Sequence, residues 1–188
     1  NPIIGLLAAG IFSLEGLPLV MSRIGMNDIY FLFFALLTIY LFLKDKPLFS
    51  AGALGLALAS KWTAVWLVPV LLVGFLLFRK KLKLGYLFFL VIPPLIYLVA
   101  YLPFFVNGHT LSQFVELQKQ MWWYHTQLSA THPFWSPWWS WPLNQKPVWI
   151  FTETLNGKVA NIYASGNSLI FFGGLAAVGA ALGSFIKR

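Results

Sequence analysis

The segment IYFLFFALLTIYLFL, residues 29–43, decides the fold of this chain because it is strongly apolar and contains no charged side chain. Lys44-Asp45-Lys46-Pro47 follows it, and basic residues with a proline are typical of the end of a helix. Residues 84–106 and 166–186 are also uncharged, and residues 48–78 are apolar apart from a polar interruption around Lys61. This pattern predicts helices that cross a lipid bilayer.

The overall composition agrees with this prediction. Of the 188 residues 59% are hydrophobic and only 10% are charged, whereas soluble domains have about a quarter charged residues. The net charge is +8, but the basic residues form short clusters beside apolar segments, a distribution that favours membrane topology over nucleic-acid binding. The sequence contains no cysteine, which excludes disulfides.

Residues 48–78 are too long for one span. A single helix of this length would measure about 46 Å, well beyond the hydrocarbon thickness. Two short helices with Lys61 at the apex would instead put Lys44, Lys46 and the basic run 79–83 on one side, as the positive-inside rule prefers. We therefore predict a hairpin whose apex carries Lys61 to the opposite side of the membrane.

The predicted architecture is an all-α, polytopic transmembrane helical bundle with one ordered external loop. Residues 1–106 form transmembrane helices with short external loops at 15–28 and 60–63, residues 107–165 form an external aromatic-rich loop, and residues 166–188 form a last transmembrane helix with a basic end. Residues 3–14 are too short to span alone. We expect the chain to continue upstream of Asn1.

An aromatic segment lies within the external loop. Residues 121–142 read MWWYHTQLSATHPFWSPWWSWP and contain six of the nine tryptophans without a charged residue. Irregular backbone does not lie in hydrocarbon, where its peptide groups would lack hydrogen-bond partners. Pro133, Pro137 and Pro142 indicate a fixed shape for an ordered loop at the membrane surface. The indoles either stack on a sugar or cover a lipid head, or they form a structural lid or an interfacial belt.

The topology brings distant polar residues to the outer face: Glu15, Arg23, Asp28, Lys61, His109, Glu116, His125 and His132. Polar groups at one membrane face suit a substrate with an apolar tail and a charged head, such as a lipid phosphate. Structural roles are also open, since Asp28 can stabilise a helix start and Arg23 can pair with Asp28 or Glu15. For Lys61 a functional role is favoured, because ionisable groups inside a membrane are energetically costly and usually functional.

The sequence lacks the motifs of metal-binding, nucleotide-binding and serine-hydrolase sites. His125 and His132 do not have the HExxH spacing, and with no cysteine present no metal site is indicated. The sequence contains no GxxxxGK[ST] loop, no GxGxxG after a strand and no GxSxG elbow. Hydrogen bonding to a phosphate or a sugar hydroxyl is the better hypothesis for the two histidines.

Several segments together resemble the protein O-mannosyltransferase family of lipid-carrier-dependent, C-type glycosyltransferases. They are LEGLPLVMSRIGMND (residues 14–28), GLALASKWT (55–63), MWWYH (121–125), HPFWSPWWSWP (132–142) and PVW (147–149). The Ser-Lys-Trp-Thr element (residues 60–63) and the segment 132–142, the tryptophan loop, are the most specific of these. Their order and the predicted topology fit the family over nearly the whole chain.

The resemblance implies transfer of mannose, or a related sugar, from a polyprenyl or dolichyl phosphate to a serine or threonine of a protein, without a cofactor. It implies that Arg23 and Lys61 bind the donor phosphate and that Asp28 is a second acidic residue in the site. His125, His132, Trp138 and Trp139 would line the donor or acceptor pocket. The family's general base lies in its first external loop, which we expect upstream of Asn1. The short external loop favours a multi-pass bacterial or archaeal plasma-membrane enzyme whose site faces outside.

Three other functions stay open. A sister enzyme of the same fold would transfer aminoarabinose or another sugar to lipid or glycan. A transporter or channel would place ionisable or helix-breaking elements near the midplane of paired repeats, whereas the ionisable groups here collect at one interface. A non-catalytic lipid-binding or assembly subunit would need no acid and base set.

Overall fold

The computed structural model describes residues 2–78, 83–129 and 135–186 and is mostly helical, as predicted. Its α-helices are α1 (Pro2–Leu14), α2 (Gly16–Arg23), α3 (Asn27–Leu43), α4 (Pro47–Ser60), α5 (Leu67–Phe78), α6 (Phe88–Ala100), α7 (Leu102–Val106), α8 (Leu111–Gln127) and α9 (Ser168–Ile186). Short 3-10 helices lie at Trp62–Trp66, Leu84–Leu87 and Trp138–Ser140. Two strands, β1 (Val148–Leu155) and β2 (Lys158–Ala164), add a hairpin to the all-α prediction.

The chain forms two compact units. The central unit is Asn27–Leu128, and the terminal unit combines Asn1–Met26 with Ser129–Arg188. Helices α3 to α8 therefore belong to the central unit, whereas α1, α2, the hairpin and α9 belong to the terminal unit.

Helix α4 packs against both α3 and α6 in the central unit. Its buried face consists mainly of small residues: Ser50, Ala51, Ala53, Leu54, Gly55 and Ala57. Gly55 lies so close to α6 that an added Cβ would stand 2.8 Å from Ile96 Cβ and 3.1 Å from Pro93 Cα. Small residues at helix contacts are typical of membrane bundles, where close approach of the backbones replaces the hydrophobic effect as the source of packing energy.

A buried hydrogen bond joins α3 to α4. Ser50 Oγ donates to the carbonyl of Thr38 at 2.7 Å, and Thr38 Oγ1 donates to the carbonyl of Phe34 within α3 at 2.7 Å. Both side chains are fully buried. Their hydroxyls therefore have partners in a place where water cannot supply one.

Two acid–lysine pairs lie at opposite ends of α3. Asp28, in the first turn, pairs with Lys61, and Asp45, just beyond the last turn, pairs with Lys83. A 17-residue helix is about 25 Å long at 1.5 Å per residue. Lys61 and Lys83 are consequently separated by a distance close to the thickness of a hydrocarbon layer.

The apolar surfaces of the terminal unit have little protein cover. Helix α1 buries no residue, and none of the apolar window Ser168–Phe185 of α9 is buried. Within the described residues α9 is the one helix long and apolar enough to cross a bilayer, and the pair α1–α2, bent by 56°, would be a second span if its two parts act together. The other apolar helices are shorter, at 10–17 residues. Exposed apolar helices of this kind suit contact with lipid.

The hairpin lies inside the segment that the sequence predicts as one external loop. β1 and β2 pair antiparallel, with Leu155 opposite Lys158, so that Asn156 and Gly157 form the turn. Both turn residues have positive φ, 51° and 77°. Asn-Gly at a two-residue turn is the strongest short-range hairpin signal, because both positions require the left-handed region. Helix α8 occupies another part of the same predicted loop.

Candidate functional site

Asp28 and Lys61 form the polar centre of the central unit. Lys61 Nζ lies 2.5 Å from Asp28 Oδ1, although the two residues are 33 positions apart. The side chains keep 34% and 38% of their surface exposed, so both remain accessible to a ligand. The pairing answers one question left open by the sequence, because Asp28 binds Lys61 and not Arg23.

The end of α4 explains how Lys61 reaches this position. α4 ends at Ser60, and Lys61 has extended backbone angles, φ −156° and ψ 130°. Its N–H still donates to the carbonyl of Ala57, and its own carbonyl accepts from Ala64 N at 3.0 Å in the following 3-10 helix. The lysine is therefore fixed at a helix break, where both of its backbone polar groups have partners and its side chain extends to the start of α3.

An aromatic cluster adjoins Lys61 in the chain. The ring of Trp62 stacks on His125 with centroids 5.8 Å apart and planes inclined by 9°, and Trp122 meets Trp62 edge to face at 5.9 Å. Tyr124 contacts His125 edge to face at 5.6 Å. The structure thus brings His125, predicted as a site residue, beside the residue that follows Lys61. The imidazole keeps its ring nitrogens at the edge of the stack, where they can bind a ligand.

Hydrogen bonds fix α8, which carries His125. Thr110 and Gln113 form a capping box at its start. Further along, Gln118 Oε1 accepts from Tyr97 Oη of α6 at 2.7 Å, and Tyr97 also contacts Tyr101 Oη at 3.1 Å. These contacts hold α8 against α6 one to two turns before His125, which limits the movement of the aromatic cluster.

Arg23 and Glu15 belong to the terminal unit. Arg23 lies exposed in the last turn of α2, and within the described part of the chain it has no carboxylate partner. Glu15 is 95% buried, and both carboxylate oxygens accept backbone hydrogen bonds, from Leu17 N at 2.8 Å and from Asn167 N at 2.7 Å. Glu15 thus has a structural role at the α1–α2 bend, whereas the cation of Arg23 is available for an anionic ligand.

The tryptophan loop also belongs to the terminal unit. Trp138 and Trp139 start a 3-10 helix and keep 73% and 58% of their surface exposed. Their placement in a substrate pocket stays a prediction. His132 falls at residues 130–134, outside the described residues, as do residues 79–82 and 187–188 of the predicted basic clusters.

Sequence reasoning did not predict several residues that shape these sites. Trp62 stands out in the sequence only as part of the Ser-Lys-Trp-Thr element, and nothing local indicates that it stacks on a ring from residue 125. Glu15 accepts two backbone hydrogen bonds, and one of them comes from the distant residue Asn167. In contrast, the hairpin turn does have a local signal, because Asn156-Gly157 is the residue pair that two-residue turns favour.

A comparison with family models supports one of the sequence resemblances. Residues 110–187 match the C-terminal four-transmembrane region of protein O-mannosyltransferases. The match includes α8 with His125, the tryptophan loop, the hairpin and α9. Neither a curated protein nor a solved structure matches the chain. The predicted resemblance to this membrane-integral glycosyltransferase family is thereby confirmed over that region.

Proposed function

We propose that this protein, whose residues 110–187 match the C-terminal region of protein O-mannosyltransferases, is a multi-pass membrane glycosyltransferase. It transfers mannose or a related sugar from a polyprenyl or dolichyl phosphate to a serine or threonine of a protein on the external face. The observation that carries this proposal is the partly exposed Lys61–Asp28 pair, next in the chain to the Trp62–His125 stack. Lys61 supplies a cation that can bind a phosphate, and Trp62 and His125 supply rings and an imidazole that can bind a sugar.

The chemistry requires separate groups for the leaving phosphate and the attacking hydroxyl. The bond between the sugar C1 and the phosphate oxygen breaks, and the phosphate leaves with the electron pair. The hydroxyl oxygen forms the new bond to C1 with inversion, and its proton passes to a carboxylate base. Cations stabilise the charge that develops on the departing phosphate.

Lys61 suits the phosphate for two reasons. Its ammonium group has three donors and Asp28 accepts from one of them, which leaves the others for phosphate oxygens. Asp28 also limits the ammonium group to a narrow region, which reduces the entropy lost when the donor binds. The family resemblance implies that Arg23 also binds the donor phosphate, and among the described residues its guanidinium has no carboxylate partner.

The two lysine pairs at the ends of α3 support the proposed orientation. Lys83, with Lys44 and Lys46 close to Asp45 in the chain, belongs to the basic end that the positive-inside rule puts in the cytoplasm. Lys61 belongs to the other end of α3. A donor with its prenyl tail in the bilayer would then present its phosphate and sugar to Lys61 at the external surface.

The decisive test uses membranes that contain the full-length protein, incubated with radiolabelled polyprenyl-phosphate mannose. Label in protein, lost in Lys61→Ala and Arg23→Ala, is the expected result. We expect Lys61→Ala to lower the rate about 10²-fold, which is the order of the loss when one hydrogen-bond donor is removed from a protease oxyanion hole. Lys119→Ala is the matched control, since Lys119 is exposed and forms only a 3.5 Å pair with Glu116.

The location of the label separates the proposal from its nearest alternative. Label in lipid or glycan with none in protein would indicate the sister activity toward another acceptor. Unchanged rates in both Lys61→Ala and Arg23→Ala would remove the phosphate-binding roles assigned here, whatever the acceptor.

A further inference from the structure

We propose that four exposed tryptophans of the terminal unit bind the headgroup layer of the bilayer at the start of α9 and so hold this loop at the membrane surface. These residues, the indole surface, are Trp135, Trp138, Trp139 and Trp141. The inference rests on the proposed function in one respect, namely that α9 crosses the membrane. It assigns Trp138 and Trp139 a lipid partner instead of the place in the donor or acceptor pocket that the family resemblance implies.

The indole surface is exposed although its backbone is fixed. Its four side chains keep 54–73% of their area exposed. Beneath them Ser140 is buried and donates to the carbonyl of Pro137 at 2.7 Å, while Ser136 accepts from Trp141 Nε1 at 3.0 Å and donates to the carbonyl of Lys146. A loop built this way does not turn its rings inward, so the rings need an external partner that covers large apolar area.

The loop is attached to the end of a membrane span. Asn144 Nδ2 donates to the carbonyl of Gly166 at 2.7 Å and lies 3.3 Å from Ser168 Oγ, and Ser168 is the first residue of α9. Asn144 itself adopts φ 50°, which closes the loop next to this contact. All these residues belong to the same unit. The indole surface therefore lies near the level at which α9 enters the bilayer.

The charges of the segment identify the partner. Between residues 135 and 147 the only charged side chain is Lys146, whose Nζ lies 4.9 Å from the ring centroid of Trp135. Indoles prefer the interface because they combine an apolar ring with one polar N–H, and lysines there extend toward the headgroups. A surface of four indoles, one cation and no carboxylate fits phospholipid headgroups.

The absence of cysteine makes a depth measurement possible. The full-length protein, with any cysteine outside these residues replaced by serine, is reconstituted in phosphatidylcholine–phosphatidylglycerol vesicles. Spin labels are placed singly through Trp138→Cys, Trp139→Cys, Val178→Cys in the middle of α9 and Asn156→Cys at the hairpin turn. Accessibility to oxygen and to a water-soluble nickel chelate then gives the depth of each label.

We expect labels at 138 and 139 to lie between the hydrocarbon depth of position 178 and the water exposure of position 156. If the labels at 138 and 139 are as accessible to water as the label at 156, while the label at 178 lies in hydrocarbon, this inference is overturned and the proposed function stays intact. Values at 178 equal to those at 156 would refute the span and both proposals. Loss of lipid contact at 138 and 139 when polyprenyl-phosphate mannose is added would identify a substrate pocket and overturn the inference.

A second measurement keeps the tryptophans in place. Brominated phospholipids quench indole fluorescence on contact, and we expect the quenched fraction to fall when Trp138 and Trp139 are both replaced by phenylalanine. Trp62→Phe, in the central unit, is the matched control. An unchanged quenched fraction in the double variant would count against lipid contact even if the cysteine variants fail to fold.

Discussion

The carboxylate of Glu15 accepts a 2.7 Å hydrogen bond from the backbone N–H of Asn167, which follows it by 152 residues. The other oxygen of the same carboxylate accepts from Leu17 N. One buried side chain thus caps α2 and binds the backbone immediately before α9, while Asn167 Oδ1 accepts from Leu169 N at 3.0 Å to cap α9 itself. Helix N-termini favour a negative charge, which explains why this carboxylate is stable although none of the described residues pairs a cation with it.

Replacing Glu15 with alanine should therefore destabilise the terminal unit. Hydrogen bonds to a charged group contribute about 1.5–3 kcal/mol, and both partners would be left without an acceptor. Glu15→Gln should cost less, because its amide oxygen can still accept. Thermal unfolding in detergent measures the effect, with Glu116→Ala as an exposed control. Equal unfolding temperatures for Glu15→Ala and Glu116→Ala would show that the two hydrogen bonds contribute little.

Gly55→Ala should weaken the contact between α4 and α6. The new methyl group would overlap Ile96 and Pro93, and overpacking of this kind costs about 1–3 kcal/mol. Gly52→Ala, on the same helix, meets nothing within 4 Å and should be neutral or stabilise by up to about 1 kcal/mol through helix propensity. Unfolding measurements that rank Gly52→Ala below Gly55→Ala would contradict the observed helix packing.

Asp28→Asn should distinguish the role of the negative charge of Asp28 from the role of its side chain as a hydrogen-bond acceptor in the first turn of α3. Asparagine still accepts a hydrogen bond but no longer attracts Lys61 by charge. Because the pair is about one-third exposed, we expect at most about 1 kcal/mol of lost stability. Sugar transfer, in contrast, should fall strongly, and the KM for the donor should rise because Asp28 no longer restrains Lys61.

The control for that variant lies at the other end of α3. Asp45→Asn interrupts the pair with Lys83 on the side that we assign to the cytoplasm. Asparagine tolerates the φ of 58° found at this position. Transfer activity should persist in Asp45→Asn, and an equal loss in both variants would argue that Asp28 acts only through general stability.

His125→Phe should preserve the stack with Trp62 and remove the ring nitrogens. We expect unfolding to change little, because the aromatic contact remains, and transfer to decline because phenylalanine cannot hydrogen-bond to a sugar or phosphate. His109→Phe is the matched control, since His109 also stacks on an aromatic ring, that of Phe104, with centroids 4.2 Å apart. Full activity of His125→Phe would assign the histidine a purely structural role.

Local sequence signals predicted the helical class and several element ends. The uncharged run at residues 29–43 forms most of α3, and the interruption at Lys61 coincides with the end of α4. These features are local, because apolar length and helix termination depend on neighbouring residues. The same reasoning treated residues 107–165 as a loop, although Thr110 and Gln113 start α8 with a capping box and Asn156-Gly157 turns a hairpin.

The choice of partners was decided only by the tertiary structure. The sequence allowed Arg23 to pair with Asp28 or Glu15. In the folded chain Asp28 pairs with Lys61, and Glu15 accepts hydrogen bonds from two backbone N–H groups. Composition and apolar length alone determined that this protein suits a membrane, since they reflect the cost of exposing each segment to water. Pairing across 33 or 152 positions depends on which helix ends meet, and helix packing fixes this through contacts that no local pattern encodes.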